Sequence, residues 1–344
     1  MRLALIAFTA RGGELAQSLA EGLAAAGHSC ALSGGGRAAR ALGLPDCGSL
    51  SDWTARAFAQ ADGLIFVGAC GIAVRAIAPY VRDKFHDPAV VAVDEGGDFA
   101  VPLLSGHVGG ANDLARQVAA LTGGTAVVST ATDVNGLFAV DQWAARRGWT
   151  LSDRNLAKEL SAALLAGEPV GFVSDLPVEG VLPPGLTEGP AAVGLCVTWK
   201  EARAPFPATL RVYPRVLMVG IGCRRGVTAE TLARAVDRAL SGAGLAAEAV
   251  AGAASIDRKA DEPGLLALCR DRGWPLATYP AEALAQAEGT FTPSPFVQNV
   301  VGVDNVCERA AVCGGGTLLL PKQAGEGVTV AVALRPLRVT FSEE

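Results

Sequence analysis

The sequence lacks the features that define several protein classes. No C-x-x-C pair occurs among its eight cysteines, and no histidine lies near Cys307 and Cys313, the only two that are close together. This scatter fits reduced thiols in a cytosolic protein better than a disulfide framework or a zinc site. No apolar run approaches the length of a membrane span, and the N-terminal run is too short for a secretory signal. We therefore expect a soluble, cytoplasmic protein.

Aromatic residues and positive charge are also scarce. Aromatics make up 6% of the 344 residues while half of the chain is hydrophobic, so we expect a core of alanine, valine and leucine. The formal net charge is −5, from 29 lysines and arginines against 34 acidic residues. A nucleic-acid-binding protein usually has a basic footprint, so that class is disfavoured. An anionic ligand would need a local basic patch, because the overall field does not attract it.

Strand-like apolar runs alternate with helical runs rich in alanine and leucine along most of the chain. This alternation is typical of α/β folds, in which helices cover a parallel or mixed sheet. We predict an N-terminal three-layer α/β domain over residues 1–122, a smaller central α/β region over 123–207, and a C-terminal α/β domain with a mixed sheet over 213–338. Three prolines between residues 203 and 214 mark the second boundary, since proline breaks a helix.

Three glycine-rich turns stand out between residues 63 and 136. The apolar run 64–67 ends in a Gly-Ala-Cys-Gly turn, the run 90–93 ends in two acidic residues and two glycines, and the run 99–104 ends in Ser-Gly-His. Turns that lead from strand ends into helices form the crevice in which α/β proteins bind ligands, and a helix N-terminus favours negative charge. The sequence therefore predicts one site, formed where these loops gather at a single rim of the sheet.

His107 is the most informative single residue of these turns. Taken alone, such a histidine is about equally expected to have a function or only to form a hydrogen bond with a neighbouring backbone carbonyl. The neighbours of His107 favour a function: Ser105 precedes it, the amides of Gly109 and Gly110 follow it, and the acidic turn lies one strand away.

Two turns in the C-terminal half carry further polar residues. The turn 220–226 ends a strand, but its glycine spacing is one residue too long for a dinucleotide motif, and no acidic residue closes the next strand. Its arginines are interpreted equally well as a carboxylate anchor or as solvated surface residues. A second polar cluster, also at a strand end, consists of Ser255, Asp257 and Lys259.

Together these motifs resemble those of the cobalt-precorrin-5A hydrolase family of oxygen-independent cobalamin biosynthesis, over essentially the whole chain. The N-terminal motifs are Gly68-x-x-Gly71-Ile-x-Val-Arg75, Asp83-Lys84, Asp94-Glu95, Ser105-Gly106-His107-x-Gly109-Gly110-Ala-Asn112 and Thr130-Ala-Thr-Asp133-Val-Asn135-Gly136. The C-terminal motifs are Gly220-Ile-Gly222-Cys223-Arg224, Ser255-x-Asp257-x-Lys259-x-x-Glu262, Ser294-x-x-Val297 and Val306-x-Glu308.

The resemblance implies a reaction and a division of labour. It implies that the protein opens the ring A δ-lactone of cobalt-precorrin-5A and expels a two-carbon fragment as acetaldehyde, giving cobalt-precorrin-5B. It also implies a catalytic N-terminal domain and a tetrapyrrole-binding C-terminal domain. The substrate brings its own cobalt, so we expect no added cofactor and no protein metal site. Other partners are left open, among them a second copy in a homodimer and other cobalamin-pathway enzymes, whereas nucleic acid and membrane are not expected.

Two other functions compete with this one. A non-catalytic corrinoid carrier would bind the same intermediate and pass it on without turnover. A nucleotide-dependent α/β enzyme would bind nucleotide at the glycine-rich turn 220–226, and nucleotides would then raise its thermal stability.

Motif position under the resemblance predicts the residue roles. His107 is the expected general base or acid–base shuttle, because its ordinary pKa lies nearest neutral pH. Glu95 with Asp94 would orient the imidazole or the water, with Ser105 as a further catalytic residue. The glycine amides at the following helix N-terminus would receive the oxyanion. The residues expected to bind substrate are Gly71, Arg75, Lys84, Gly109, Gly110, Asn112, Asp133, Asn135, Gly222, Cys223, Arg224, Ser255, Asp257, Lys259 and Ser294.

Overall fold

The structure, a computed structural model, describes residues 1–36, 41–83, 86–107, 109–294 and 302–341, apart from the side chains of Thr132 and Asp133. Its internal contacts divide the chain into two compact units, Met1–Gln142 and Trp143–Glu344. The α/β class is confirmed, and the predicted division into three domains stays a prediction. None of the described helices is both long enough and apolar enough to span a bilayer.

The first unit is built on a six-stranded sheet. Its strands are β1 Arg2–Ala7, β2 Ser29–Gly34, β3 Gly63–Val67, β4 Ala89–Val93, β5 Phe99–Leu104 and β6 Thr125–Ala126. Its described helices are α1 Ala10–Ala25, α2 Leu50–Gln60, α3 Cys70–Ile77, α4 Ala111–Thr122, α5 Ala131–Val134 and the start of α6 Val140–Arg146. The strand order is β2-β1-β3-β4-β5-β6, in which β5 runs antiparallel to β4 and the other neighbouring pairs are parallel.

Helices cover both faces of this sheet. Alternate residues of a strand point to opposite faces, so Leu5 packs towards α1 and α4 while Ile6 and Phe66 pack towards α2 and α3. Strands buried on both faces read as continuous apolar runs, as β3 and β4 do. The predicted three-layer arrangement of the N-terminal part is confirmed.

Helix α1 shows how the sequence starts an element at a strand end. The hydroxyl of Thr9 accepts a hydrogen bond from the Gly12 amide at 3.0 Å, which satisfies one of the unpaired amides of the first turn. The buried positions Ala16, Leu19 and Leu23 then recur at helical spacing and place one face of α1 on the sheet.

The second unit contains two five-stranded sheets and a two-stranded one. Its strands are β7 Thr150–Leu151, β8 Val170–Ser174, β9 Val178–Glu179, β10 Leu186–Thr187, β11 Val193–Val197, β12 Ala208–Tyr213, β13 Leu217–Cys223, β14 Val250–Ile256, β15 Leu276–Tyr279, β16 Thr317–Gly325, β17 Val328–Leu334 and β18 Val339–Thr340. Its described helices, after the end of α6, are α7 Arg154–Leu165, α8 Ala229–Gly242, α9 Pro263–Arg272, α10 Ala281–Gln286 and α11 Cys307–Val312. The strand orders are β10-β8-β11-β12-β7, β15-β14-β13-β17-β16 and β18-β9.

The mixed sheet predicted near the C-terminus is present in the second unit. Strands β13, β14 and β15 are parallel; β17 pairs antiparallel with β13, and β16 pairs antiparallel with β17 at the edge of the sheet. The proline-marked boundary between the predicted central and C-terminal domains is not an irregular segment. Residues 208–213 form β12 in the other five-stranded sheet. Leu210 and Val212 are fully buried there, so apolar alternation outweighs the flanking prolines.

Gly220 is required by the close approach of α11 to β13. A methyl group at this position would overlap the Cys307 carbonyl, so Gly220→Ala should lower the free energy of unfolding by roughly 1–3 kcal/mol. Gly242→Ala is the matched control, since that helical position opens on free space and alanine there should stabilise by about 0.4–1 kcal/mol. Urea unfolding of both variants measures the difference, and equal stabilities would contradict this packing.

Candidate functional site

The direction of β5 separates the three turns that were expected to gather at one rim. Strands β1, β3 and β4 end at one edge of the sheet, here called the carboxyl edge, where Asp94 and Glu95 lie. Strand β5 runs back, pairing Ala100 with Val93 and Leu104 with Val90, so His107 follows at the opposite, amino edge. The length of β4, roughly 13 Å at about 3.3 Å per residue, lies between them. The prediction that Asp94 and Glu95 orient His107 is therefore wrong.

A cleft of about 540 Å³ opens at the carboxyl edge. Its walls are mostly apolar side chains and backbone, with the acidic turn on one side. The lining residues are Gly68, Ala69, Cys70, Ala92, Asp94, Glu95, Phe99, Val101 and Val127. Phe99 is 54% exposed there, an unusual state for so large an apolar ring.

Asp94 holds the turn between β4 and β5 together. Its carboxylate accepts the Phe99 amide at 2.6 Å and the Gly96 amide at 2.9 Å. Partial burial by itself raises the pKa of Asp94, but these backbone donors outweigh it and the pKa lies below the usual value. Asp94 is thus a structural carboxylate, whereas the half-buried Glu95 faces the cleft.

Gly71 and Arg75 lie together in α3, which starts at the cleft. The exposed Arg75 guanidinium folds back over Gly71, about one helical turn earlier, with a nitrogen 3.5 Å from where a β-carbon would stand. No hydrogen bond or ion pair to the Arg75 side chain occurs within the described residues. This cation is available to a carboxylate at the same helix end where the backbone dipole favours negative charge.

At the amino edge, His107 has a different acidic partner. Its Nδ1 lies 3.6 Å from Oδ1 of Asp141, and both side chains are largely buried, at 15% and 16% exposure. A carboxylate beside Nδ1 favours the tautomer in which Nε2 is the basic nitrogen. Sequence reasoning missed Asp141, since nothing in the primary structure indicates that the first turn of α6 returns to this turn.

The other two histidines have partners of their own. His86 forms an exposed pair with Asp83 at 2.7 Å, and His28 bonds Gln117 at 2.9 Å. Of the three imidazoles, His107 therefore combines burial with a neighbouring carboxylate.

Ser105 shapes the histidine turn. Its backbone takes the left-handed conformation, with φ at 55°, which is uncommon for a residue with a side chain. The buried hydroxyl donates to the Asp87 carbonyl at 2.9 Å, so it ties this turn to the start of β4. This bond gives Ser105 a positioning role, and its expected catalytic role stays a prediction.

The turn uses one of the two amides that were expected to receive an oxyanion. The Gly110 amide donates to the His107 carbonyl at 3.1 Å, and the amides of Ala111 and Asn112 donate to the carbonyls of Ser105 and Gly106. The predicted oxyanion role of the Gly110 amide is therefore wrong, because its N–H already donates a hydrogen bond within the turn. The amide of Gly109 stays a predicted donor, although a side chain there would overlap Ser105.

The remaining N-terminal candidates differ in what the structure says of them. Asn112 is 1% exposed, and its amide donates to the Thr130 hydroxyl at 3.0 Å, so it connects the histidine turn to the segment before α5. Asn135 is exposed and donates to the Ala131 carbonyl at 2.8 Å within its own turn. Lys84 and the side chain of Asp133 lie outside the described residues, so their substrate-binding roles stay predictions.

In the second unit, two predicted motifs meet at one edge of a sheet. Strands β13 and β14 are parallel neighbours, so Gly222, Cys223 and Arg224 lie beside Ser255, Asp257 and Lys259. Much of this cluster is committed to the fold. The buried Ser255 hydroxyl donates to the Ile221 carbonyl at 2.7 Å, and a side chain at Gly222 would press on Thr329.

Lys259 is paired within the protein. Its ammonium lies 2.8 Å from Glu262, whose other oxygen accepts the Gly226 amide at 2.8 Å. The hydrogen bond from Lys259 lowers the pKa of Glu262, while burial raises the pKa of the neighbouring Cys223 thiol. The exposed Arg224 and Asp257 are thus better placed than Lys259 to meet a ligand.

A buried carboxylate holds the loop that leads to Ser294. Glu308 is fully buried and accepts the amide and hydroxyl of Thr292 at 2.7 and 2.8 Å and the amide of Lys322 at 2.6 Å. Asn305 donates to the Thr292 carbonyl at 2.9 Å. Ser294 lies half-buried two residues beyond this anchor, and its substrate-binding role stays a prediction. Within the described part of the chain, no group of three or more metal-ligating side chains is arranged to hold an ion.

Three family models match consecutive parts of the chain. Residues 52–133 match the N-terminal region of cobalamin synthesis protein G, residues 138–214 the cobalamin biosynthesis central region, and residues 217–333 the C-terminus of cobalamin synthesis protein G. The cobalt-precorrin-5A hydrolase of Salmonella typhimurium is 36% identical over 305 residues, which cover 85% of this chain and 87% of that protein. The chain belongs to the cobalt-precorrin-5A hydrolase family.

Two further relatives are similar to this chain. The cobalt-precorrin-5A hydrolase of Priestia megaterium is 32% identical over 301 residues, covering 81% of this chain and 80% of that protein. Protein CobE of a Sinorhizobium species is 36% identical over 121 residues, or 34% of this chain and 79% of that protein. The resemblance to the cobalt-precorrin-5A hydrolase family noted in the sequence is confirmed.

The lowered pKa of Asp94 predicts how one substitution depends on pH. A carboxylate whose folded pKa lies below its unfolded value, about 3.9, stabilises above that value and loses the effect as pH falls through the folded pKa. The destabilisation by Asp94→Asn should therefore be greatest above about pH 5 and shrink below about pH 4. Urea unfolding across this range measures it. Asp98→Asn is the control, since its carboxylate takes no hydrogen bond within the described residues; a pH-independent effect of Asp94→Asn would contradict the expectation.

Proposed function

We propose that this protein hydrolyses cobalt-precorrin-5A in cobalamin biosynthesis, releasing acetaldehyde and giving cobalt-precorrin-5B. The observation that carries the proposal is the 36% identity to a cobalt-precorrin-5A hydrolase across nearly the full length of both chains. The pairing of His107 with Asp141 supports it, because lactone hydrolysis needs a base for water and an acid for the leaving alkoxide.

The proposed chemistry starts at Nε2 of His107. This nitrogen removes a proton from water, and the hydroxide attacks the lactone carbonyl to form a tetrahedral oxyanion. Collapse of that intermediate breaks the carbon–oxygen bond, and the imidazolium returns the proton to the departing alkoxide. Asp141 holds the imidazole in the required tautomer and stabilises its positive charge in between. The amide of Gly109 is the proposed oxyanion donor.

The second step resembles a retro-aldol cleavage. The freed hydroxyl loses its proton to a base, its carbon–oxygen bond becomes a carbonyl, and the carbon–carbon bond to the macrocycle breaks. The electrons of that bond pass into the conjugated cobalt macrocycle of the substrate, so the protein supplies proton transfer and binding. We propose no added cofactor for either step.

The carboxylates of the substrate need local cations on a chain of net charge −5. Arg75 at the carboxyl edge of the first unit and Arg224 in the second unit are exposed and have no described side-chain partner. We propose both as carboxylate clamps.

His107→Ala should reduce acetaldehyde release by about 10²–10⁴-fold, because it removes the proton shuttle of the first step. The measurement is acetaldehyde trapped from purified full-length protein supplied with cobalt-precorrin-5A. If the native chain binds the corrinoid but releases no acetaldehyde, the protein is a carrier. If the variant keeps the native rate, His107 has no part in the mechanism.

Asp141→Asn should lower kcat at least tenfold with little change in KM, because the carboxylate positions the imidazole without touching substrate. Asp52→Asn is a matched control, since Asp52 also lies in the first turn of a helix of the first unit but is exposed. Thermal unfolding of both variants should match the native protein. A loss of activity that follows a loss of stability would make Asp141 a folding residue only.

A further inference from the structure

A second cleft, in the second unit, contains none of the residues singled out in the sequence. It has a volume of about 440 Å³ and lies where the loop after β11 meets the end of α8 and β16. Trp199, Lys200 and Arg203 come from the loop, Leu245 from the segment just after α8, and Leu319 from β16. Two backbone hydrogen bonds hold the loop in place: the Ala246 amide donates to the Trp199 carbonyl, and the Glu201 amide donates to the Gly244 carbonyl, each at 2.9 Å.

Trp199 leaves a buried donor without an acceptor at this cleft. The residue is 8% exposed, and its indole N–H is buried with no hydrogen-bond partner in the described part of the chain. Buried N–H groups are nearly always paired, because losing their water partners without replacement is costly. An acceptor arriving through the cleft would complete the site.

The charge around the cleft also calls for an anion. Lys200 and Arg203 share one carboxylate, that of Asp175, at 3.5 Å each, and this carboxylate already accepts the Thr198 hydroxyl at 2.6 Å. The Lys200 ammonium lies 5.4 Å from the Trp199 ring centroid. Both charged side chains that line the cleft are thus cations. Both cationic side chains are about half exposed, at 50% and 42%, so they can turn towards a ligand.

We propose that this cleft binds a peripheral carboxylate of the cobalt tetrapyrrole, an inference that rests on the function proposed above. One carboxylate oxygen accepts the Trp199 N–H, and the group pairs with Arg203 and Lys200. Leu245 and the 38% exposed Leu319 contact the apolar edge of the macrocycle beside that arm. The cations and the indole N–H favour a carboxylate as the ligand. The two leucines favour a carboxylate that is joined to an apolar body over a free inorganic anion.

The test follows the indole N–H of Trp199 by ¹H–¹⁵N NMR in the full-length protein. The chain has five tryptophans, and Trp199→Phe assigns the signal by removing it while keeping a ring in the core. The probes are dicyanocobyrinic acid, a cobalt corrinoid with free peripheral carboxylates, its fully methyl-esterified form, and acetate. The signal should move saturably with the acid and stay still with the ester. Movement with acetate at the same concentrations would overturn the commitment to a macrocycle, and no movement with the acid would overturn the site.

Charge variants sharpen the test. Titration calorimetry, which does not need the indole signal, measures the affinities: Arg203→Gln should weaken binding of the corrinoid acid about tenfold, and Trp199→Phe should weaken it by a similar factor. Arg270→Gln, which removes a 79% exposed arginine elsewhere in the second unit, should leave it unchanged. Equal affinities for all three variants would overturn the proposal.

Acetaldehyde release separates this inference from the proposed function. If the native protein releases acetaldehyde while the Trp199 signal stays still with the corrinoid acid, the cleft proposal fails and the hydrolase stands. If the signal moves but no acetaldehyde appears from cobalt-precorrin-5A, the cleft proposal is supported and the hydrolase fails.

Discussion

The antiparallel pairing of β5 with β4 decides which side chains the first unit can bring together. It turns the chain back across the sheet, so that the acidic turn and the histidine turn lie at opposite ends of the same two strands. The carboxylates of Asp94 and Glu95 are thereby left at a cleft of their own, and His107 takes Asp141 as its acidic neighbour. That single strand direction keeps the acidic turn away from the imidazole.

The antiparallel direction of β5 could have been predicted from the sequence. Only residues 94–98 lie between β4 and β5, and a parallel pair needs a crossover of a dozen or more residues. The apolar runs predicted the strands and the glycine-rich turns predicted where loops lie, but the expectation of a single rim assumed parallel strands throughout. The contribution of Asp141 could not be found in the same way, because it depends on how α6 packs, which no local pattern specifies.

Some polar residues of the family motifs stabilise the fold, whereas others are exposed and can contact a ligand. Their hydrogen bonds show which residues belong to the first group. In the first group the side chains form hydrogen bonds with backbone groups of turns and loops, as in Asp94, Ser105, Ser255 and Glu308. Such bonds satisfy buried groups and fix loop positions, which explains polar residues at strand ends without any chemistry. The motifs alone predicted catalytic roles for Asp94 and Ser105 and a substrate-binding role for Ser255, since burial and hydrogen-bond partners are properties of the folded chain.

The charge distribution of the protein favours binding of an anionic substrate by the few cationic side chains that have no strong ion pair. Many of its positive side chains are already paired, as Lys259 is with Glu262 and Arg272 with Asp237. A substrate with several carboxylates gains little from a paired cation, because it must displace an existing ionic hydrogen bond to reach it. The proposed recognition therefore relies on exposed arginines such as Arg75 and Arg224, and on cations that share one carboxylate, as Lys200 and Arg203 do. Neutral donors such as the Trp199 indole then add direction to the attraction, since a hydrogen bond fixes the carboxylate in one orientation.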